Sequence, residues 1–200
     1  MSYQPSNFNY THQPYNLGKK TPHPFSAIAL PSLGLNQYQL RPILARDLAA
    51  WYSYLIEPKV MEHSSWVLKS PQDLQQFIQV QDWSEAQAQV KFAITNDQDQ
   101  LIGSIGFHTI SISNLSVEIA YDLSPAYWGK GIVSAACRSL TKWAHQELGF
   151  VRVQACVVDS NLRSRQVLER CDFQLEGLLK SYKQIRNQSR DYWILSHIQS

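Results

Sequence analysis

The stretch SVEIAYDLSPAYWGKGIV, from Ser116 to Val133, runs an alternating apolar segment into a glycine-bearing turn and then into a long amphipathic segment. Alternation over Val117, Ile119 and Tyr121 predicts a strand with one buried face, and the spacing after Gly131 predicts a helix. Gly129 and Gly131 allow positive φ and let bare amides approach a ligand with no Cβ in the way. A helix N-terminus leaves its first four N–H groups unpaired and carries about half a positive charge, so a phosphate there gains hydrogen bonds and dipole together. Lys130 adds a full charge nearby. Neither the loop of nucleotide triphosphatases nor the G-x-G-x-x-G of dinucleotide folds occurs. Taken alone, the turn fits an ordinary structural role as well as an anion site.

Outward from this stretch the pattern is regular from Gln37 on. Residues 37–42 alternate like an edge strand, and residues 46–56 space Leu48, Trp51, Tyr52 and Leu55 as one helical face. Ser70-Pro71 reads as an N-cap with proline in the first turn, opening a helix to about Val80 with a continuation toward Gln89. Residues 91–95 and 100–110 read as strands joined at a turn over Asn96–Asp99. A strand over 114–123 leads to a helix over 131–148 that ends at Gly149. Then come a strand over 150–158, a helix over 162–171 and a closing antiparallel pair over 173–185 and 190–198. The expected fold is α+β, a mixed and mostly antiparallel sheet with helices on both faces. The strands at 114–123 and 150–158, joined through the long helix, are expected side by side and parallel.

Ala126-Tyr127-Trp128-Gly129-Lys130-Gly131 resembles the cofactor-binding motif of the GNAT superfamily of N-acetyltransferases: arginine or glutamine, two residues, glycine, one residue, glycine or alanine. Ala126 departs from the first position, which leaves the grip to backbone amides. VEIAYDLSPAYWGKG, together with VVDSNLRSRQVLERCDF downstream, is similar to the Rim-type branch that acetylates ribosomal-protein N-termini. The resemblance implies a GNAT-like fold whose parallel strand pair splays to hold acetyl-coenzyme A. It implies cofactor contacts from Ile119, Ala120, Tyr121 and Leu123 on the strand, and from Ala126, Trp128, Gly129, Lys130, Gly131 and Ile132 around the turn. Asn161 and Ser164 follow, with Arg163 or Arg165 near the 3′-phosphate.

The same resemblance implies direct transfer of an acetyl group to a primary amine, with a protein N-terminal α-amine as acceptor. A small-molecule amine, or a coenzyme-A-binding sensor without turnover, are the alternatives. Glu118 is the candidate base; its competing reading is a solvent-facing strand carboxylate. An α-amine of pKa about 7.7–8.0 is about a tenth neutral at pH 7, so it asks less of a base than a lysine amine. The tyrosine that many relatives use as acid is replaced by Leu168. Ser164 is the candidate donor, against a role satisfying helix backbone, with Tyr121 and Tyr127 as other hydroxyls. Asp172 replaces a frequent glycine at a turn where αL geometry is common, which Asp tolerates.

Composition bounds the rest. The 200 residues, 44% hydrophobic, suffice for one cored domain, with residues 1–36 as a disordered tail and 37–200 as the catalytic domain. The tail holds five of the nine prolines and only Lys19 and Lys20 as charges, although its piece 27–35 is apolar enough to lie on the domain. The remainder sums to zero charge, so a nucleic-acid footprint is absent. Cys137, Cys156 and Cys171 are read as reduced and buried, and the histidines at 63, 108, 145 and 197 lack metal-ligand spacing. No run approaches the ~20 apolar residues of a membrane span, so a cytoplasmic monomer or homodimer is expected, with no membrane partner and no metal.

Overall fold

A computed structural model describes residues 29–78 and 89–199. Residues 1–28 of the expected tail over 1–36, and residues 79–88 of the expected helix and its continuation toward Gln89, lie outside them. The order is β1 (Gln39–Pro42), a 3-10 turn (Ala45–Asp47), α1 (Leu48–Leu55), α2 (Pro58–Met61) and a 3-10 helix (Pro71–Phe77). Next come β2 (Val90–Thr95), β3 (Leu101–Ser111), β4 (Ser116–Leu123), α3 (Ile132–Gln146) and β5 (Arg152–Val158). The chain closes with α4 (Leu162–Glu169), β6 (Gln174–Ile185) and β7 (Gln188–Ile198). The expected helix after Ser70 is a 3-10 helix, with Asp73 closing a capping box to Ser70. The short α2, opened by Pro58 in its first turn, was not anticipated.

The seven strands lie in the order β1-β2-β3-β4-β5-β7-β6. Every neighbouring pair is antiparallel except β4 and β5, which α3 connects by a crossover. Alternation along β4 and β5 divides the core. Val117, Ile119, Ala155 and Val157 pack with Ile132, Leu140 and Leu168 on the α3 and α4 side. On the opposite face Trp51, Leu55, Leu74 and Phe77 pack against Ala93 and Leu101. Each large buried side chain contributes about 1.5–3 kcal/mol from lost apolar exposure, so both layers hold the sheet. Leu33, within the apolar piece at 27–35, enters the α3-side core at 5% exposure.

Arg152 links three strands at the lower end of this sheet. Its guanidinium donates to Glu176 at 2.8 and 2.6 Å, and Ser196 donates to the same carboxylate at 2.5 Å. The Arg152 hydrogen bond, then that of Ser196, lowers the Glu176 carboxyl from its ordinary 4.5 to about 2. A depressed carboxyl stabilises the fold above its unfolded value and loses that contribution as pH falls toward its folded value. Stability is therefore expected to fall between pH 4.5 and about 2 in part through Glu176. In Glu176→Gln, urea midpoints measured across that window should show a shallower acid limb than the wild type.

Candidate active site

β4 and β5 stay paired for only three residue pairs, Ser116 with Arg152, Val117 with Val153 and Glu118 with Gln154. Beyond them β4 continues against β3 as far as Leu123, and β5 continues against β7 as far as Val158. Each strand is held by its outer neighbour while the inner edges part. The gap opens into a cleft of about 1120 Å³, lined by β4, β5, the turn before α3, α4 and the α2 loop. That is at or above the upper end of the range for one drug-sized ligand, about 300–1,000 Å³.

The turn forms the anion end. Gly129 and Gly131 take φ of 79° and 73°, and a Cβ at either would meet nothing within 4 Å, so the requirement is conformational and not steric. Gly131 is the N-cap of α3 and supplies no side-chain cap, which leaves the first amides of a 15-residue helix to a ligand. Gly129, Gly131, Ile132 and Trp128 line the cleft; Ala126 and Lys130 do not. The Lys130 ammonium lies 4.8 Å from the Tyr127 ring centre instead. Trp128 pins the turn by donating from its indole to the Leu123 carbonyl at 2.9 Å, so that carbonyl is not free for a ligand. Arg163 stacks over Trp128 at 4.9 Å and lines the cleft, whereas Arg165 stacks on Trp193 and pairs with Glu169 outside it.

Ile119, Ala120 and Tyr121 line the parted edge of β4. Their unpaired backbone groups, with the uncapped amides of α3, suit the amides and pyrophosphate of coenzyme A. Asn161 is the N-cap of α4, accepting from the Ser164 amide at 3.0 Å. Ser164 Oγ lies 2.8 Å from the Tyr121 hydroxyl, which also reaches the Ser164 carbonyl at 3.1 Å. Burial, then the Cys137 charge, raises Tyr121 well above its ordinary value, so its proton is retained. Leu168 is fully buried on the cleft wall.

Glu118 lies on the opposite face of β4 from Val117 and Ile119 and is buried at 3% exposure, not solvent-facing. Its cross-strand neighbours hold it: Gln154 donates to Oε2 at 3.3 Å and His108 Nε2 lies 3.4 Å from Oε1. Gln154 is fixed in turn by Arg152 at 2.8 Å. Burial lowers His108 against the pull of Glu118, which favours the neutral ring. Cys156, read from sequence as buried, is half-buried on the cleft wall, and burial, then the Glu118 charge, raises its thiol to about 11. Cys137 and Cys171 are buried.

Two features were not legible beforehand. Asp122 accepts from Trp51 at 3.1 Å, from Ser104 at 2.6 Å and from Tyr54, with Lys91 at 3.9 Å. Arg186, in the β6–β7 turn, donates to the Met61 and Ser64 carbonyls at 2.9 and 3.3 Å and ties that turn to the α2 loop. Both rest on contacts between segments distant in sequence. Among the described residues no cluster of three or more His, Cys, Asp or Glu could hold a metal ion. No helix there is long and apolar enough to cross a membrane.

The family described as "Acetyltransferase (GNAT) domain" matches residues 38–174. The chain belongs to this family. Its domain is that of an acetyl-coenzyme-A-dependent N-acetyltransferase. It is 35% identical over 112 residues to an uncharacterized N-acetyltransferase, p20, of Bacillus licheniformis, covering 56% of this chain and 63% of p20. It is 34% identical over 114 residues to the ribosomal-protein-serine acetyltransferase of Escherichia coli, covering 56% of this chain and 63% of that protein. The matches thus span less than two thirds of both relatives. The fold is also that of spermidine N-acetyltransferase from Vibrio cholerae, solved with coenzyme A and spermine. There the TM-score is 0.71 at 20% identity, covering 82% of this chain and 97% of that one.

Replacing Gly131 by Ala forces a side chain into the left-handed region, at a cost of about 1–2 kcal/mol. The free turn relaxes out of that conformation and must be driven back into it to meet the ligand, so titration calorimetry should show coenzyme A binding about 5–30-fold weaker in Gly131→Ala. Unchanged affinity would remove the turn from the cofactor seat.

Proposed function

We propose that the protein transfers the acetyl group of acetyl-coenzyme A to the N-terminal α-amine of a protein, of the ribosomal-protein type, by direct attack. The observation that carries this reading is the buried Glu118 carboxylate where β4 and β5 part, lining the cleft that opens between them. Similarity to the E. coli ribosomal-protein-serine acetyltransferase supports the choice of acceptor.

Acetyl-coenzyme A supplies the activated acyl group as a thioester. Gly129, Gly131 and the first α3 amides hold its pyrophosphate, with Arg163 at the phosphate end and the β4 edge and Asn161 along the pantetheine arm. Glu118 takes the proton of the incoming ammonium, directly or through water, while His108 and Gln154 fix its two oxygens. When Tyr121 donates to Ser164 Oγ, the serine hydrogen is free for the departing thiolate. The base is asked for little, because an α-amine is already about a tenth neutral at pH 7. The domain boundary follows the same reading: 37–200 is the catalytic unit, and Leu33 just before it packs into the same core.

Glu118→Gln keeps the shape and the packing against His108 and Gln154 but removes the base. Turnover with N-terminal peptides should fall about 10²–10⁴-fold while coenzyme A binding is retained. Transfer at the wild-type rate would show that Glu118 is not the base. Mass spectrometry of products from free-N-terminal peptides, N-blocked lysine peptides and polyamines locates the acetyl group. Transfer only to polyamines would overturn the N-terminal reading, and none with any amine would favour a sensor.

A further inference from the structure

The acceptor side of the cleft contains a cation that the chemistry above leaves unused. Lys183 lies on β6, half-buried, and lines the same cavity as Glu118, His108 and Cys156. Its ammonium rests 5.3 Å from the ring centres of both Tyr182 and Tyr192. Among the described residues no carboxylate lies within 4 Å of it, although Lys180, three residues earlier, pairs with Asp191 at 2.7 Å.

A local irregularity sets this placement. The β6–β7 register slips between Leu179 and Lys183, and Ser181 takes a φ of 52°. Asp191 pins the bulge from both sides, accepting from the Lys180 ammonium and from the Ser181 amide at 2.8 Å. Bulges re-aim side chains and concentrate beside active sites. Here Lys180 is turned to a partner outside the cleft and Lys183 into it. Two tyrosine faces hold its charge by cation–π attraction without neutralising it, which leaves its hydrogen-bond donors for an anion.

Among the described residues three carboxylates line the cleft: Glu118, Asp122 and Glu62, the last 68% exposed and 3.9 Å from His63. Asp122, the other acid on the Glu118 face of β4, has both oxygens engaged by Trp51, Tyr54, Ser104 and Lys91. Among the described residues Glu118 is the buried acid of the cleft left to meet the reacting amine. On the Glu118 side of the cleft a polyamine's next ammonium group would meet Lys183, and the acid left for it, Glu62, is exposed.

We infer that Lys183 is a specificity residue that binds a carboxylate carried by the acceptor close to its reacting amine. This rests on the transferase reading of the site and narrows its substrate to amines with an acidic neighbour. The carboxylate can come from an acidic side chain in the first few residues of a peptide, or from a free amino acid.

Full-length protein is assayed with acetyl-coenzyme A and peptides that differ only by Asp, Asn or Lys at the second and third positions, with free aspartate and glutamate, and with spermidine. Asp peptides should exceed their Asn counterparts about tenfold in kcat/KM, chiefly through KM, one charged hydrogen bond's worth of about 1.4 kcal/mol. Lys183→Gln should bring that ratio toward one, Lys183→Arg should keep it, and Lys183→Glu should invert it toward the Lys peptides. Equal use of Asp and Asn peptides by the wild type, or an undiminished preference in Lys183→Gln, overturns the inference. Free acidic amino acids acetylated in preference to every peptide would support Lys183 while refuting the N-terminal acceptor; a preference for spermidine refutes both. Calorimetric binding of the same peptides to the coenzyme A complex reads Lys183 without turnover. Tighter binding of Asp than Asn there supports it even if no transfer occurs, and equal binding refutes it.

Discussion

The parting of β4 from β5 after three residue pairs is the constraint on which the rest of this molecule depends. A parallel pair joined through a helix would ordinarily zip along its length. Here each strand has a stronger commitment on its other side, β4 to β3 through Leu123 and β5 to β7 through Val158. The inner edges are left with backbone donors and acceptors that must find partners, because unpaired buried peptide groups are costly. An extended ligand with amides of its own satisfies them as another strand would. The uncapped N-terminus of α3 stands at one end of the same gap, and two glycines with positive φ present it.

Period-two alternation then sorts the chemistry between the two faces of the sheet. Tyr121 and Ser164 meet on the α4 side, where a leaving group would depart. Glu118, Cys156, Tyr192 and Lys183 gather on the other side, beneath the α2 loop and the β6–β7 turn that Arg186 ties together. The Asp122 cluster joins α1 to the central strands by side-chain bonds. It also gives Lys91, which burial pushes down and Asp122 pulls back up, the counter-charge it needs so far from water.

The order of strands and helices was legible because its signals are local. Alternation marked β4 and β5, glycines marked the turn and the end of α3, and Ser70-Pro71 marked a helical start. Even the face of Glu118 followed from parity, although its burial did not, since that depends on the cross-strand neighbours His108 and Gln154 beside it. The side-chain partners resisted for the same reason. His108 and Gln154 flank Glu118 only through cross-strand register, and Lys183 turns inward only because a bulge shifts its strand. Lys130, whose charge and position suggested a phosphate contact, lies with its ammonium over Tyr127, a placement that local sequence does not reveal. Arg163 and Arg165, indistinguishable by composition, are separated by the pitch of α4, which sends one to Trp128 and the other to Trp193.

Hydrogen exchange of the backbone amides, with and without coenzyme A, tests the central claim most directly. If the parted edge is the cofactor seat, amides over Ile119–Leu123 and at the start of α3 should gain protection on binding, while those of the paired Ser116–Glu118 segment should not change. Binding without protection over 119–123 would contradict the account, because the cofactor would then lie somewhere other than between β4 and β5.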